Sequence, residues 1–390
     1  MGLPRVIERF VTNRRVTLLG VGPMSVNCVD AAIELACDYA VPIMLIASRR
    51  QVDCAELGGG YVNNWTTEEF AGYVAARDRK RMTVLARDHG GPWQNPVEIR
   101  RGLPLAEAME SAKRSYAADI RAGFRILHID TSVDIHGRPS AEEVLRRVFE
   151  LYEFCHAEAQ RLGREVAFEI GTEEQSGVAN TMADLERLLT GVKAFCAADG
   201  LPQPDFVVIQ TGTKVLETRN VGSFDSPFRV ADELPAEIQL PRMLDLCRKH
   251  QVAMKEHNTD YLSDETLSWH PKLGIHAANV APEFGVAETR GLIEILRAGG
   301  QQALLERFLE LAYASRKWEK WMCAGSRATD FDRAVIAGHY VFGAPEFAEI
   351  KAAARSALNG AGPDLDHFLK LKVKAAIFRY LRLFNLVERA

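Results

Sequence analysis

The chain has 390 residues, of which 47% are hydrophobic and 26% are charged, and its formal net charge is −4. This composition is typical of a globular protein with a large core, and it gives no reason to expect nucleic acid or an anionic membrane surface as a partner. No stretch of about 18 apolar residues predicts a membrane span, and the first 15 residues lack the apolar run of a secretory signal. Seven scattered cysteines without a C-x-x-C pair predict reduced thiols in a cytoplasmic protein.

Eight short apolar runs alternate with segments of helical period, which is the pattern of the β-then-α units that close a parallel barrel. The predicted strands are Val16–Val21, Pro42–Ala47, Met82–Ala86, Phe124–Ile129, Val166–Ile170, Phe206–Ile209, Val252–Glu256 and Leu273–Ala277. The predicted helices are Cys28–Tyr39, Thr67–Ala76, Leu105–Ala122, Ala141–Leu162, Met182–Ala198, Leu240–His250, Asp264–Trp269 and Glu283–Arg297. We therefore predict an α/β protein with a (β/α)₈ TIM barrel over residues 1–300.

From Gln301 to the end of the chain the pattern is purely helical and offers no strand candidate. Apolar positions such as Phe308, Leu311 and Phe378 are expected to form the buried stripe of these helices. We therefore predict a C-terminal α-helical extension over residues 301–390 that packs on the barrel.

Polar residues follow the predicted strands, where the side chains of a parallel barrel converge on one mouth. The polar residues near these ends include Asp88, His89, Asp130, Ser132, Glu169, Glu173, Glu174, Gln210, Lys214, His257, Asn258, Asp260 and Asn279. Two histidines and several carboxylates on separate strand ends are the donors that a divalent-metal site needs. A bound metal polarises a carbonyl, and a carboxylate not committed to the metal can then move protons.

The histidines at strand ends differ in what their surroundings indicate. His89 and His257 are flanked by Asp, Gly or Asn at matching strand ends, which favours a functional role for the pair. The histidines that we expect to be hydrogen-bonded structural residues are His128, His136 and His276. Asp130 and Ser132 fit a functional role as well as a purely structural one, in which they tie the mouth together by hydrogen bonds.

Several segments of the sequence resemble those of a known family and occur in the same order along the chain. They are Ser48 to Tyr61 with Gln51-Val52, Asp88-His89 with Gly91-Pro92, His128 to Ser132, Ile170 to Glu173, Gln210 with Gly212, Glu256-His257 with Thr259-Asp260-Tyr261, and Trp318 to Trp321. In these segments the chain resembles the Z-type subunit of class II D-tagatose-1,6-bisphosphate aldolase, which is usually described as non-catalytic. That family is a divergent relative of the zinc-dependent class II fructose- and tagatose-bisphosphate aldolases.

The resemblance implies roles for individual positions. Asp88 resembles the catalytic aspartate that shuttles a proton, and His89 and His257 resemble zinc ligands. Glu169 falls where a carboxylate near the metal is found. Glu173 or Glu174 falls where a mobile-loop acid completes proton transfer, and Asn279 matches an asparagine that helps to hold substrate. The resemblance thus implies a class II aldolase-like protein of carbohydrate metabolism with a divalent metal, zinc being the expected ion.

Departures from the family pattern concern the metal and the substrate. Gln210 stands where the catalytic aldolases have a metal-binding histidine, and an amide is a poorer zinc ligand. The phosphate-binding glycine loop is replaced by Asn258 to Tyr261, where Asp260 would repel a phosphate. A monophosphate or an unphosphorylated sugar derivative fits these changes better than a bisphosphate. Arg49 or Lys214 is expected to meet an anionic group of the substrate. The full set of residues expected to bind substrate is Arg49, Gln51, Asp130, Ser132, Gln210, Lys214, Asn258, Asp260 and Asn279.

Two functions compete at this point. The first is a metal-dependent lyase, aldolase or epimerase acting next to the carbonyl of a sugar or sugar phosphate such as tagatose 1,6-bisphosphate. The second is a non-catalytic subunit that stabilises a true aldolase subunit. A sugar-phosphate kinase ranks last, because the sequence has no P-loop motif. The polar mouth favours the enzyme, and a homo-oligomer is expected.

Overall fold

The computed structural model describes residues 4–11, 14–171, 181–221, 236–358 and 364–388. The strands are β1 (Leu18–Val21), β2 (Ile43–Ser48), β3 (Thr83–Gly90), β4 (Ile126–Asp130), β5 (Ala167–Gly171), β6 (Phe206–Ile209), β7 (Val215–Leu216), β8 (Arg219–Asn220), β9 (Ala253–Glu256) and β10 (Ala277–Val280). Eight of them close a parallel barrel in the order β1-β2-β3-β4-β5-β6-β9-β10, while β7 and β8 form an antiparallel ribbon. The predicted (β/α)₈ barrel is confirmed.

Helices cover the outside of the barrel and form the C-terminal part of the chain. They are α1 (Arg5–Val11), α2 (Val26–Tyr39), α3 (Thr67–Arg77), α4 (Pro96–Arg101), α5 (Leu105–Ala122), α6 (Ala141–Arg161), α7 (Met182–Asp199), α8 (Ala236–His250), α9 (Asp264–Leu273), α10 (Pro282–Ala298), α11 (Gln302–Ala314), α12 (Asp330–Ala337), α13 (Pro345–Leu358) and α14 (Leu365–Leu383). Among the helices of the described ranges, none combines the length and apolar character needed to cross a bilayer.

Capping side chains set where the barrel helices begin. The hydroxyl of Ser25 accepts the N–H of Cys28 at the start of α2. Thr66 and Ser140 each form a capping box with the glutamate three residues later, at the starts of α3 and α6. Such caps satisfy backbone N–H groups that have no partner within the helix.

Two strands differ from the prediction by four residues at one boundary, whereas the other predicted strands differ by at most two. The eighth barrel strand begins at Ala277 rather than Leu273, because α9 continues through Pro271 and ends at Gly274, whose φ of 87° suits a left-handed cap. The third strand continues past Ala86 to Gly90. As a result, the polar residues of these two strands lie on the strands themselves rather than in the loops that follow.

The C-terminal helices contact the barrel mainly through α10 and α14. Ile377, Tyr380 and Phe384 of α14 belong to the same apolar cluster as the barrel core. A second apolar cluster forms where α10 packs against α11, α12 and α13, with Phe308 and Phe347 buried in it. The boundary between barrel and extension at residue 300 stays a prediction.

Candidate active site

The end of β3 is irregular, and this irregularity places His89. The pairing of β3 with β4 shifts register between Arg87 and Gly90, and His89 has a φ of 45°. Bulges of this kind redirect side chains next to active sites. A Cβ on Gly91 would lie 1.8 Å from the carbonyl oxygen of Asp130, so only glycine lets the two strand ends approach this closely. Nδ1 of His89 consequently lies 2.7 Å from Oδ2 of Asp130.

Three side chains form what we call the first triad: Asp88, His89 and His257. Their candidate ligand atoms lie within 4.8 Å of one another, and Oδ1 of Asp88 is 3.4 Å from Nε2 of His257. Two ligands each about 2.1 Å from a tetrahedral zinc ion lie roughly 3.4 Å apart. The donor types and the spacing of the first triad therefore fit a divalent ion.

Asp130 contacts His89 at Nδ1 and so fixes the orientation of the imidazole ring. Its carboxylate accepts from Nδ1 of His89, from Nε2 of Gln94 at 2.9 Å and from the backbone N–H of Ser132 at 3.0 Å. A carboxylate behind a histidine fixes the tautomer and the ring orientation of a metal ligand. With Nδ1 of His89 on Asp130, Nε2 is the ring nitrogen that could hold a metal.

A second triad shares Asp88 and adds His128 and Glu169. Nδ1 of His128 lies 3.8 Å from Oδ1 of Asp88 and 3.7 Å from Oε1 of Glu169. Within the part of the chain that the structure describes, Nε2 of His128 and Oε1 of Glu169 are buried and have no hydrogen-bond partner. An unsatisfied buried polar atom costs about 1–3 kcal/mol, and a site that awaits a ligand is one place where it is found.

Lys255 on β9 lies next to the second triad and pairs with Glu169. Its Nζ lies 2.7 Å from Oε2 of Glu169, and both side chains are only 1% exposed. Successive residues of a strand point to opposite faces, and the neighbouring Glu256 contacts His270 of α9 instead, at 2.5 Å. Lys255 thus points into the barrel, next to the acidic groups of the site.

The electrostatics of Asp88 are set by its neighbours. Burial raises the pKa of this carboxyl, but His89, His128 and His257 outweigh burial and hold the pKa well below its ordinary value. Nδ2 of Asn279 on β10 also donates to Oδ1 of Asp88, at 3.2 Å. Asp88 is therefore an ionised carboxylate held between three imidazole rings and an amide.

Arg49, expected to meet a substrate anion, has other partners. Nε donates to Asp53 at 3.0 Å, Nη1 to the carbonyl of Gly91 at 2.6 Å, and Nη2 to Glu98 at 2.6 Å. Its side chain is fully buried. Because each nitrogen already donates to the protein, this geometry supports a structural role and gives none to Arg49 in binding substrate.

Asp260 and Gln51 also have partners within the fold. Oδ1 of Asp260 accepts the N–H groups of Ala281 and Glu283, and so caps α10. Burial and the nearby Glu283 raise the pKa of Asp260 to about 7. The amide of Gln51 accepts from Ser48 and thereby closes the loop after β2.

The other predicted residues fall into two groups. Gln210 is buried after β6, Lys214 is half-buried and precedes the ribbon, and the carbonyl of Asn258 accepts from Asn220 at 2.7 Å. Glu173 and Glu174 lie outside the described residues.

The sequence analysis missed two residues of this cluster, His128 and Lys255. A signal existed for each. Both occupy the middle of an apolar strand, at positions that strand alternation assigns to the barrel interior. A charged or polar residue at an inward position of a buried strand is unusual unless it is paired or functional.

Comparison with known proteins agrees with the expected family. Residues 3–195 match the family model described as D-tagatose-1,6-bisphosphate aldolase subunit GatZ/KbaZ-like. The N-terminal part of the chain, slightly less than half of it, thus matches the GatZ/KbaZ-like family that the sequence analysis expected. The matched part contains Asp88, His89, His128 and Glu169, and it ends before β6.

Solved structures share the fold at low sequence identity. The crystal structure of a probable tagatose 6 phosphate kinase from Sinorhizobium meliloti 1021 is 18% identical with a TM-score of 0.73, over 94% of this chain and 100% of that one. Fructuronate-tagaturonate epimerase UxaE from Cohnella laeviribosi is 12% identical with a TM-score of 0.60, over 96% and 82%. The YdjI aldolase from Escherichia coli K12 is 14% identical with a TM-score of 0.52, over 97% and 95%. These similarities concern the fold.

Proposed function

We propose that this protein is a divalent-metal-dependent enzyme of the class II aldolase type, acting as an aldolase, lyase or epimerase on a sugar or sugar phosphate. The observation that carries the proposal is the first triad, in which the ionised Asp88 lies 3.4 Å from His257 and beside His89. Zinc is the expected ion, because imidazole and carboxylate donors at this spacing suit it.

Each residue of the site has a proposed role. His89 and His257 bind the metal, and Glu169, the carboxylate expected near the metal, lies in the second triad beside them and pairs with Lys255. When bound, the metal supplies polarisation of the substrate carbonyl. Asp88 accepts the proton that leaves the substrate next to that carbonyl, since its neighbours keep it ionised. Asn279 orients the Asp88 carboxylate through its amide.

The substrate class rests on the family and on the site together. The family description names an aldolase of tagatose 1,6-bisphosphate, and solved structures with this fold include an aldolase and an epimerase of sugar acids. A bond next to the carbonyl of a ketose or its derivative suits the acid–imidazole cluster. Lys214 is the proposed contact for an anionic substrate group, since Arg49 is committed elsewhere. A cytoplasmic location and a homo-oligomeric state stay predictions.

Metal analysis followed by an activity panel tests the proposal. Purified protein is expected to hold about one divalent ion per chain and to turn over at least one ketose, ketose phosphate or sugar acid. Asp88→Asn is expected to lower turnover by about 10²–10⁴-fold, the usual contribution of a proton-transfer group. Asp245→Asn, on the exposed face of α8, is the matched control and is expected to change nothing. Metal-free protein that turns over no member of the panel would contradict the proposal.

A second candidate is the non-catalytic subunit of an aldolase complex. The family description, which names a subunit, favours it, as does Gln210 at a position where catalytic aldolases have a histidine. In that case the protein is expected to co-purify with an aldolase and to raise its activity equally well as Asp88→Asn. Loss of the effect in that variant would favour the enzyme.

A further inference from the structure

The second triad carries an inference of its own, which rests on the proposed metal function. Asp88, His128 and Glu169 offer one donor atom each within 4.8 Å, as the first triad does. The distances of 3.8 Å and 3.7 Å from Nδ1 of His128 to the two carboxylates are slightly wider than the roughly 3.4 Å of a tetrahedral zinc site. A small contraction would create a second ion position that takes in Asp88, the proposed proton acceptor beside the first ion.

Lys255 supplies the positive charge that such a second ion would bring. Its ammonium contacts Oε2 of Glu169, which leaves Oε1 of the same carboxylate facing His128. Both side chains are almost fully buried, and a buried carboxylate is stable only if a cation and hydrogen bonds compensate it. Lys255 is therefore the counter-ion of the second triad.

The charge balance of the site also supports Lys255 as the counter-ion of the second triad. Asp88, Asp130 and Glu169 are three carboxylates of one cluster, in which Asp130 and Glu169 are buried and Asp88 is 12% exposed, and Lys255 pairs with Glu169. With neutral histidines, two negative charges remain, which one divalent ion at the first triad neutralises. Without the ammonium, three negative charges remain, which one divalent ion leaves unbalanced.

The hydrogen bond that His128 accepts also supports the role of Lys255 as counter-ion. The backbone N–H of His89 donates to Nδ1 of His128 at 3.3 Å, so this nitrogen already has a donor in place of a metal. That hydrogen bond is long, and a metal next to Glu169 would displace it. We propose that Lys255 keeps the second triad free of metal, so that the site binds one divalent ion, and that removing this ammonium converts Asp88, His128 and Glu169 into a second metal site.

The test counts metal ions per chain. Chelator-treated protein is titrated with Zn²⁺ by calorimetry, and bound zinc is measured by elemental analysis after dialysis. Wild type is expected to bind one ion and Lys255→Met two. Lys255→Arg, which keeps the charge, is the matched control and is expected to bind one. The double variant Lys255→Met/Glu169→Gln, which removes the acidic ligand as well, is expected to return to one.

Each outcome separates this inference from the proposed function. One ion in both wild type and folded Lys255→Met overturns the inference and leaves the proposed function standing, as do two ions in wild type. No ion in wild type overturns the proposed function itself. If Lys255→Met does not fold without metal, the inference expects saturating Zn²⁺ to restore its circular dichroism. Failure of this rescue, while the double variant folds, overturns the inference.

Discussion

Two buried groups of charges lie on opposite sides of β3 and differ in how completely they are satisfied. On the outer side, towards α5, every guanidinium nitrogen of Arg87 and Arg49 donates to a protein acceptor, and Oε2 of Glu98 is a buried atom there without a hydrogen-bond partner. On the inner side, among the described residues, His128 and Glu169 each keep a buried atom without a hydrogen-bond partner. Arg49, Arg87, His128 and Glu169 are all at most 1% exposed, so burial alone does not distinguish the two groups.

The comparison indicates which group serves the fold and which serves function. A nearly complete set of partners stabilises one arrangement without a ligand. An incomplete set costs free energy in the folded chain unless a ligand completes it. We therefore assign the outer cluster to stability and the inner cluster to binding, and substitutions on each side should have different effects.

The largest effect is expected on the outer side. Arg87 binds Asp119 through two contacts of 2.7 Å, and neither side chain is exposed. Arg87→Met should lower the free energy of unfolding by about 3–5 kcal/mol, because it leaves a buried carboxylate unpaired. Arg77→Met, which breaks the half-exposed pair with Asp30, should cost no more than about 1 kcal/mol. Urea unfolding followed by circular dichroism measures both, and equal losses would contradict the assignment.

A substitution behind the first triad should affect the metal rather than the fold. Asp130→Asn weakens the hydrogen bond that orients His89. We expect the affinity for Zn²⁺ to fall by about 10–100-fold, as is usual when a group behind a ligand is changed. Calorimetric titration measures this, with Asp245→Asn as the control. Unchanged affinity in Asp130→Asn would separate this carboxylate from the metal site.

The inner side should also be sensitive to added volume. A Cβ on Gly20 of β1 would lie 2.4 Å from Oδ1 of Asn279, so Gly20→Ala must move that amide away from Asp88. We expect a loss of about 1–3 kcal/mol in stability from overpacking, together with weaker substrate binding. Gly72→Ala in α3 has open space at the new Cβ and should stabilise the protein by about 0.5–1 kcal/mol. Thermal unfolding of both variants checks the contrast; a stable Gly20→Ala would contradict it.

The smallest effect concerns a carboxylate that faces neither cluster. Burial and Glu283 raise the pKa of Asp260 to about 7, above its unfolded value. The folded state therefore binds this proton more tightly than the unfolded state, and stability falls as pH rises from about 4 to about 7. Between pH 6 and pH 7 the loss should be about 1 kcal/mol. Asp260→Asn keeps an oxygen to cap α10 and should remove this slope, measured by urea unfolding at each pH; an unchanged slope would refute the assignment.

The sequence predicted the architecture well because periodicity reports burial, and burial follows from the barrel. Helix α5 was predicted with the bounds that it has, Leu105–Ala122. The start of β10 was predicted wrongly, because Leu273 and Ile275 are apolar whether they end a helix or begin a strand.

The candidate site was harder to predict than the fold. Strand ends could be read from the pattern, so Asp88, His89, Asp130, His257 and Asn279 were all expected at one mouth. The hydrogen-bond and ion-pair partners of these side chains could not be predicted from the pattern. Arg49 follows a strand just as the others do, yet it turns outwards to Asp53 and Glu98. Lys255 sits inside an apolar run, and only its closeness to Glu169 in space reveals its importance.

The left-handed backbone of His89 has a practical consequence for anyone who substitutes this residue. Histidine, asparagine and aspartate tolerate a φ of 45° better than other non-glycine residues. Alanine at this position would mix the loss of an imidazole with a backbone penalty, and a β-branched residue would do so more severely. Asparagine preserves the turn of the chain while it removes the ring, so it is the substitution that isolates the chemistry of the side chain.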